Sequence, residues 1–167
     1  MEISLDDLFH VPDATHLIRV VIRICTAALL GGIIGGERER AGKAAGLRTH
    51  MLVSLGCALF VLFPAESGVS KSDLSRVIQG VAAGIGFIGA GTILKRTDSG
   101  EVEGLTTAAS IWLTGAIGLA VGAGQLWLPV VAVALAWVIL SILGRFSPDQ
   151  SNRSNTDSRQ AGAEKRP

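Results

Sequence analysis

The sequence predicts an all-α polytopic membrane protein with five transmembrane helices, its N-terminus outside and its C-terminus in the cytoplasm. Three observations carry this. The chain of 167 residues is 49% hydrophobic, with a mean hydropathy of +0.47. Its apolar residues come as long runs, whereas a soluble domain keeps them in periodic stripes beside a polar surface. A run of ~20 such residues crosses the ~30 Å hydrocarbon core. The charges collect between the runs, and Lys and Arg favour one side.

Residues 1–16 form an extramembrane lead, with Ser4 to His10 as an interfacial turn. Glu2, Asp6, Asp7 and Asp13 make this lead acidic. A cleavable signal peptide begins basic, so the first span is expected to direct its own insertion. The membrane domain covers residues 17–146. Its first segment runs from Leu17 to Gly36. Arg19 and Arg23 share a face of it, either as snorkelling anchors or as groups turned into the bundle. Gly31 and Gly35, and likewise Gly32 and Gly36, are four apart and let a neighbouring helix approach closely.

The second segment runs from Leu47 to Ala65, with Arg48 and His50 at its mouth and Pro64 at its end. The third runs from Leu74 to Leu94, the fourth from Leu105 to Gly124 and the fifth from Leu126 to Phe146. Pro129 falls in the first turn of the fifth, where its missing N–H costs little. Residues 147–167 are polar and read as a disordered cytoplasmic tail. With five spans, one side holds Arg38, Arg40, Lys43, Arg48, Lys95, Arg96, Arg145, Arg153, Arg159, Lys165 and Arg166. The other holds only Arg19, Arg23, Lys71 and Arg76. The positive-inside rule makes the first side cytoplasmic.

Net charge is +1, so nothing in the balance favours nucleic acid; the lipid bilayer is the partner the composition implies. Cys25 and Cys57 sit in apolar runs and read as buried thiols rather than a disulfide or metal pair. The chain has no GxSxG, CxxC, Walker loop or paired metal-spaced His, so it reads as a non-enzyme without a cofactor. Gly84-Ile85-Gly86-Phe87-Ile88-Gly89 matches GxGxxG by letter. It lies within an apolar span, not between a strand and a helix at a phosphate, so no nucleotide follows. With Gly80 and Gly91, these glycines form a packing surface, or break the helix and free carbonyls for a cation.

Glu37-Arg38-Glu39-Arg40 abuts the first apolar run. The run either pairs with itself at the interface, or directs Glu37 into the bundle as a hard-cation ligand for Mg²⁺. Thr106 and Ser110 are four apart and place their hydroxyls on one face; Thr106 is also a candidate cap. Trp112 is too deep for an interfacial belt and is expected to meet a polar partner inside the bundle. Trp127 reads as an interface anchor.

Three ordered blocks resemble the MgtC/SapB family of bacterial inner-membrane proteins. The first is Gly35-Gly36-Glu37-Arg38-Glu39-Arg40 followed by Ala45-Gly46-Leu47-Arg48-Thr49-His50. The second is Gly84 to Gly91 and the third Gly104-Leu105-Thr106-Thr107-Ala108-Ala109-Ser110-Ile111-Trp112. The resemblance covers Val20 to Gly124. It implies a multi-pass inner-membrane protein tied to magnesium homeostasis, adaptation to low Mg²⁺ and, in pathogens, survival inside host cells. The family picture is a regulator acting through a partner protein. The alternatives are a Mg²⁺ or other cation transporter with Glu37 on the path, and a structural helix-packing subunit. Carried over by motif, the positions of interest are Glu37, Arg38, Arg40, Gly46, Arg48, Thr49, His50, Arg76, Gly86, Gly89, Gly91, Thr106, Thr107 and Trp112; Glu39, Gly84 and Ser110 join them from the same blocks. The polar tail stands where virulence-associated members carry an ACT-type domain, which places the chain with the short, SapB-like branch. The glycine strips also admit a homo-oligomer.

Overall fold

The structure, a computed structural model, describes residues 13–95 and 102–143. Helix α1 spans Ala14–Arg40, α2 Leu47–Glu66 and α3 Lys71–Ala90. A two-stranded antiparallel ribbon follows, β1 Leu94–Lys95 and β2 Val102–Glu103, in the register Leu94↔Glu103 and Lys95↔Val102. Helix α4 spans Leu105–Gly122 and α5 Trp127–Val138, which runs on into a π-helical turn, Ile139–Leu143. Helices α1, α2 and α4 are long and apolar enough to cross a membrane, and the α5 region is a shorter apolar helix. The chain is an all-α membrane protein in its coarse architecture. The expected turn at Ser4 to His10 and the tail at 147–167 lie outside the described residues.

The boundaries differ from expectation where helix chemistry outruns hydropathy. Helix α1 begins inside the expected lead and continues through Glu37 to Arg40. Glu and Arg are good helix formers, and Arg38 and Arg40 in the last turn complement the helix dipole. Pro64 lies within α2 rather than ending it. In the last turn it removes one N–H, and Ser67 and Val69 bond back to Phe63 and Pro64. Helix α3 begins earlier than Leu74, at a cap where the Asp73 N–H donates to Ser70 Oγ. It ends at Ala90, so Leu94 belongs to the ribbon. Helix α4 ends at Gly122, and Gly124 turns the chain with φ +86°.

Helix α2 lies between α1 and α4, gripped by glycines on both sides. A Cβ on Gly31 would stand 2.6 Å from the His50 carbonyl oxygen, and one on Gly35 would stand 2.8 Å from that of Gly46. From α4, a Cβ on Gly118 would strike the Ser54 carbonyl, and one on Gly122 would stand 2.6 Å from that of Ala58. Lipid tails are as apolar as Leu, so close backbone packing holds membrane helices together where water would otherwise drive them. A Cβ on Gly32 would stand 3.3 Å from Met51 Cγ, a side chain rather than backbone, and one on Gly36 would meet nothing among the described residues, so only one of the two expected strips lies against backbone.

The core has two parts. One joins α1 (Ala27, Leu30, Ile34), Ala58 of α2, α4 (Ile117, Val121) and α5 (Val133, Ala136). The other joins Ala45, Cys57, Ile85 and Ile111 and seats α3 against α2 and α4. The outer surface is apolar, with Leu29, Leu52, Phe60, Phe63, Phe87 and Trp127 exposed. Cys57 is buried as expected, but Cys25 faces outward. Gly118→Val is expected to cost at least ~1–3 kcal/mol by overpacking, while Gly36→Ala stays within ~1 kcal/mol of wild type. Thermal melting of the two variants in one detergent checks this; equal melting points would contradict the grip on α2.

Candidate functional site

The C-terminal end of α1 and the N-terminal ends of α2 and α4 meet at one end of the bundle. Polar side chains from all three are sealed there: Arg38, His50, Ser54, Thr107, Ser110 and Thr114 are buried. On α1 the buried face runs through Gly31, Ile34, Gly35 and Arg38 at helical spacing. Arg38, not Glu37, therefore continues that face inward. Its exposure is 4%, and its Nη1 donates to Glu37 Oε2 at 3.3 Å. Glu37 is itself mostly buried. The run pairs with itself, as one of the two readings expected, and does so at the inner margin of the bundle, with Arg38 turned inward.

His50 on α2 is fully buried and its ring is tied at both nitrogens. Nδ1 stands 2.9 Å from the Gly46 carbonyl oxygen. A carbonyl only accepts, so Nδ1 carries a proton. Nε2 lies 3.1 Å from Ser110 Oγ. The Ser110 hydroxyl also lies 2.8 Å from the Thr107 carbonyl, and the Thr114 hydroxyl donates to the Ser110 carbonyl at 2.8 Å. A polar seam thus crosses from α2 into α4. Among the described residues, Arg38 Nε and Ser54 Oγ find no hydrogen-bond partner. Each such group costs ~1–3 kcal/mol.

Glu39 performs a different task. Its Oε2 accepts the Leu47 N–H at 2.8 Å. The N-cap of α2 is Gly46, which has no side chain to cap with, so an acid from the preceding helix closes the end. A Cβ on Gly46 would stand 2.6 Å from that same Oε2. The spacing from Glu39 to Gly46 and Leu47 thereby has a physical cause: the glycine leaves room for the carboxylate.

The MgtC family profile matches residues 24–148, which takes in this site and nearly all of the described helices. The chain belongs to the MgtC family. Its relatives include SrpB of Synechococcus elongatus, 48% identical over 116 residues, 63% of either chain. YhiD of Escherichia coli K12 is 40% identical over 129 residues, 73% of this chain and 59% of YhiD. MgtC of Brucella abortus is 42% identical over 117 residues, 70% of this chain and 48% of that protein. The match thus spans about half to under two thirds of these relatives' length. No solved structure matches the chain.

Within this MgtC-family chain the expected site residues divide. Glu37, Arg38, Glu39, Gly46, His50, Thr107 and Ser110 come together. Arg40 and Arg48 are exposed at the same end, with Thr49 half-buried beside them. Thr106 is exposed, so the hydroxyl face is Thr107, Ser110 and Thr114 instead; its periodicity of three and four was readable. Thr106 does not cap either, since Gly104, with φ +90°, holds that place. Trp112 is 53% exposed and turns outward, away from the polar seam. Arg76 is exposed on α3, remote from the site. Helix α3 passes unbroken through Gly80, Gly84, Gly86 and Gly89. Of the predicted packing surface only Gly89 meets another helix, at Ala108, while Gly91 meets the last turn of its own. Ser54, Thr114, Gly118 and Gly122 are members the motif reading missed. Arg23, undecided by sequence, reaches the far end of α4, its Nη1 3.5 Å from the Gly122 carbonyl; Arg19 is exposed. There His16 of α1 also pairs with Glu66 of α2.

The Glu39 cap makes a direct prediction. Glu39→Ala is expected to cost ~1 kcal/mol of stability. Gly46→Ala should cost more in wild type than in the Glu39→Ala background, because the displaced carboxylate is then already gone. Equal costs in the two backgrounds, measured by melting, would show that Gly46 is not there for Glu39.

Proposed function

We propose that this chain is a five-span protein of the bacterial inner membrane, with its N-terminus outside and its C-terminus in the cytoplasm. In this reading it serves magnesium homeostasis and adaptation to low Mg²⁺ as a regulator acting through a membrane partner. The E. coli relative bears the name "Putative magnesium transporter YhiD", which supports the link to magnesium and keeps direct transport as the second reading. The observation that favours regulation is the Arg38–Glu37 pair. The guanidinium stands 3.3 Å from the one carboxylate that a cation path would use. Its charge opposes a divalent cation there, and at effective protein dielectric such a repulsion is worth several kcal/mol at ~4 Å.

The same end of the bundle presents Arg40, Lys43, Arg48 and Lys95 to solvent. By the positive-inside rule this end faces the cytoplasm, and a basic surface there suits an acidic segment of a partner. Purified protein in proteoliposomes is expected to pass no Mg²⁺, whether wild type or Glu37→Gln. The charge reversals Arg40→Glu and Arg48→Glu, made together, should abolish support of growth at low Mg²⁺ with the protein still inserted. Flux in wild type that Glu37→Gln removes would overturn regulation in favour of transport.

A further inference from the structure

We propose that the outer face of α3 is the surface through which two copies of this chain pack as a parallel, two-fold dimer in the membrane. Several features of the helix point the same way. Helix α3 falls outside the set of long apolar helices. Arg76 and Gln79 are exposed on it, and neither makes a side-chain hydrogen bond or ion pair among the described residues. A spanning helix that left Gln79 against lipid tails would strand an amide with nothing to bond. Polar side chains of this kind bond across helix pairs.

The backbone of the same face is bare. A Cβ on Gly80 or Gly84 would meet nothing within 4 Å among the described residues. Glycine costs a helix ~1 kcal/mol relative to Ala, and no contact among the described residues requires it at these two places. At 3.6 residues per turn, Asp73, Arg76, Gly80, Gly84 and Phe87 fall in one stripe, and all five are exposed.

Shape and charge select a second copy as the occupant. Phe87 is 82% exposed. Beside it, between α3 and α4, an open groove of about 260 Å³ is lined by Gly86, Gly89, Ala90, Ala108 and Trp112, among others. Two copies inserted in the same direction bring equal depths together. Each Phe87 then stands level with the other copy's groove, a knob and a hole on one surface. Asp73 and Arg76 lie one turn apart with opposite charge, and neither has an ion pair among the described residues; Asp73 Oδ2 accepts only the Ser70 hydroxyl. Their depths differ by ~4.5 Å, within the reach of an arginine side chain, so across a two-fold axis each Arg76 reaches the Asp73 of the other copy, the reciprocal pattern an isologous interface needs.

The proposal rests on α3 crossing the membrane, and one set of samples tests both claims separately. The full chain in a Cys25→Ser background is placed in lipid vesicles, and subunits are counted by single-molecule photobleaching over a range of lipid dilutions. Wild type is expected to be dimeric. Gly84→Leu should weaken association at least tenfold while melting of the subunit is unchanged, since the added side chain enters open space. Arg76→Asp should weaken it, and adding Asp73→Arg should restore it. A monomer at every dilution, or a dimer indifferent to Gly84→Leu and to the charge swap, would overturn the proposal and leave lipid on this face. Thiol labelling of Lys71→Cys from outside and of Lys95→Cys from the cytoplasm reports the span itself. Labelling of both from one side would sink the span reading, whatever the subunit count.

Discussion

The carbonyl oxygens of His50, Ser54 and Ala58 lie where any side chain on the facing helix would collide. Hydrogen alone fits at Gly31, Gly118 and Gly122. This constraint places α2 backbone-close to α1 and α4, and the rest of the molecule follows from it. The side chains of His50 and Ser54 sit between helices that approach too closely to leave them outside. His50 must then find partners locally, which it does at Gly46 and Ser110. Helices α3 and α5 add layers to this three-helix centre. In lipid, where apolar burial supplies little driving force between helices, such contact is what holds a bundle together.

The buried Arg38–Glu37 pair is harder to justify by stability. Removing two charges from water costs several kcal/mol per ion, and replacing a buried pair by apolar groups is often neutral or stabilising. Arg38 also keeps an unpartnered Nε. Membrane proteins rarely tolerate such groups without use. The pair sits where three helix ends meet, beneath an exposed basic surface, so a charge docking on that surface acts across a short distance on a poorly solvated guanidinium.

Much of this was legible from the residues. The long apolar runs located the helices, three of which are long and apolar enough to cross a bilayer. The spacing of Gly31 and Gly35 announced a close approach, and the ordered motif blocks announced the family. What escaped lay at finer grain. The buried face of α1 could have been followed from Gly31 and Gly35 to Arg38, but proximity to the apolar run drew attention to Glu37. Gly118 and Gly122 carry the same spacing as Gly31 and Gly35 within an equally apolar run, so their signal was present and unread. Trp112 shows the opposite error: depth along a helix says nothing about which way a side chain faces. The ribbon between α3 and α4 left no periodic trace, since strands of two residues have no period to show.

On this reading the buried pair is kept for function rather than for folding. The most direct measurement is growth at low Mg²⁺ supported by the double variant Glu37→Gln/Arg38→Met, in a host lacking other MgtC-family genes. Insertion and melting of the purified variant are followed alongside. The expected result is a protein that inserts and melts within ~1–2 kcal/mol of wild type yet no longer supports growth. A double variant that folds and supports growth like wild type would contradict it.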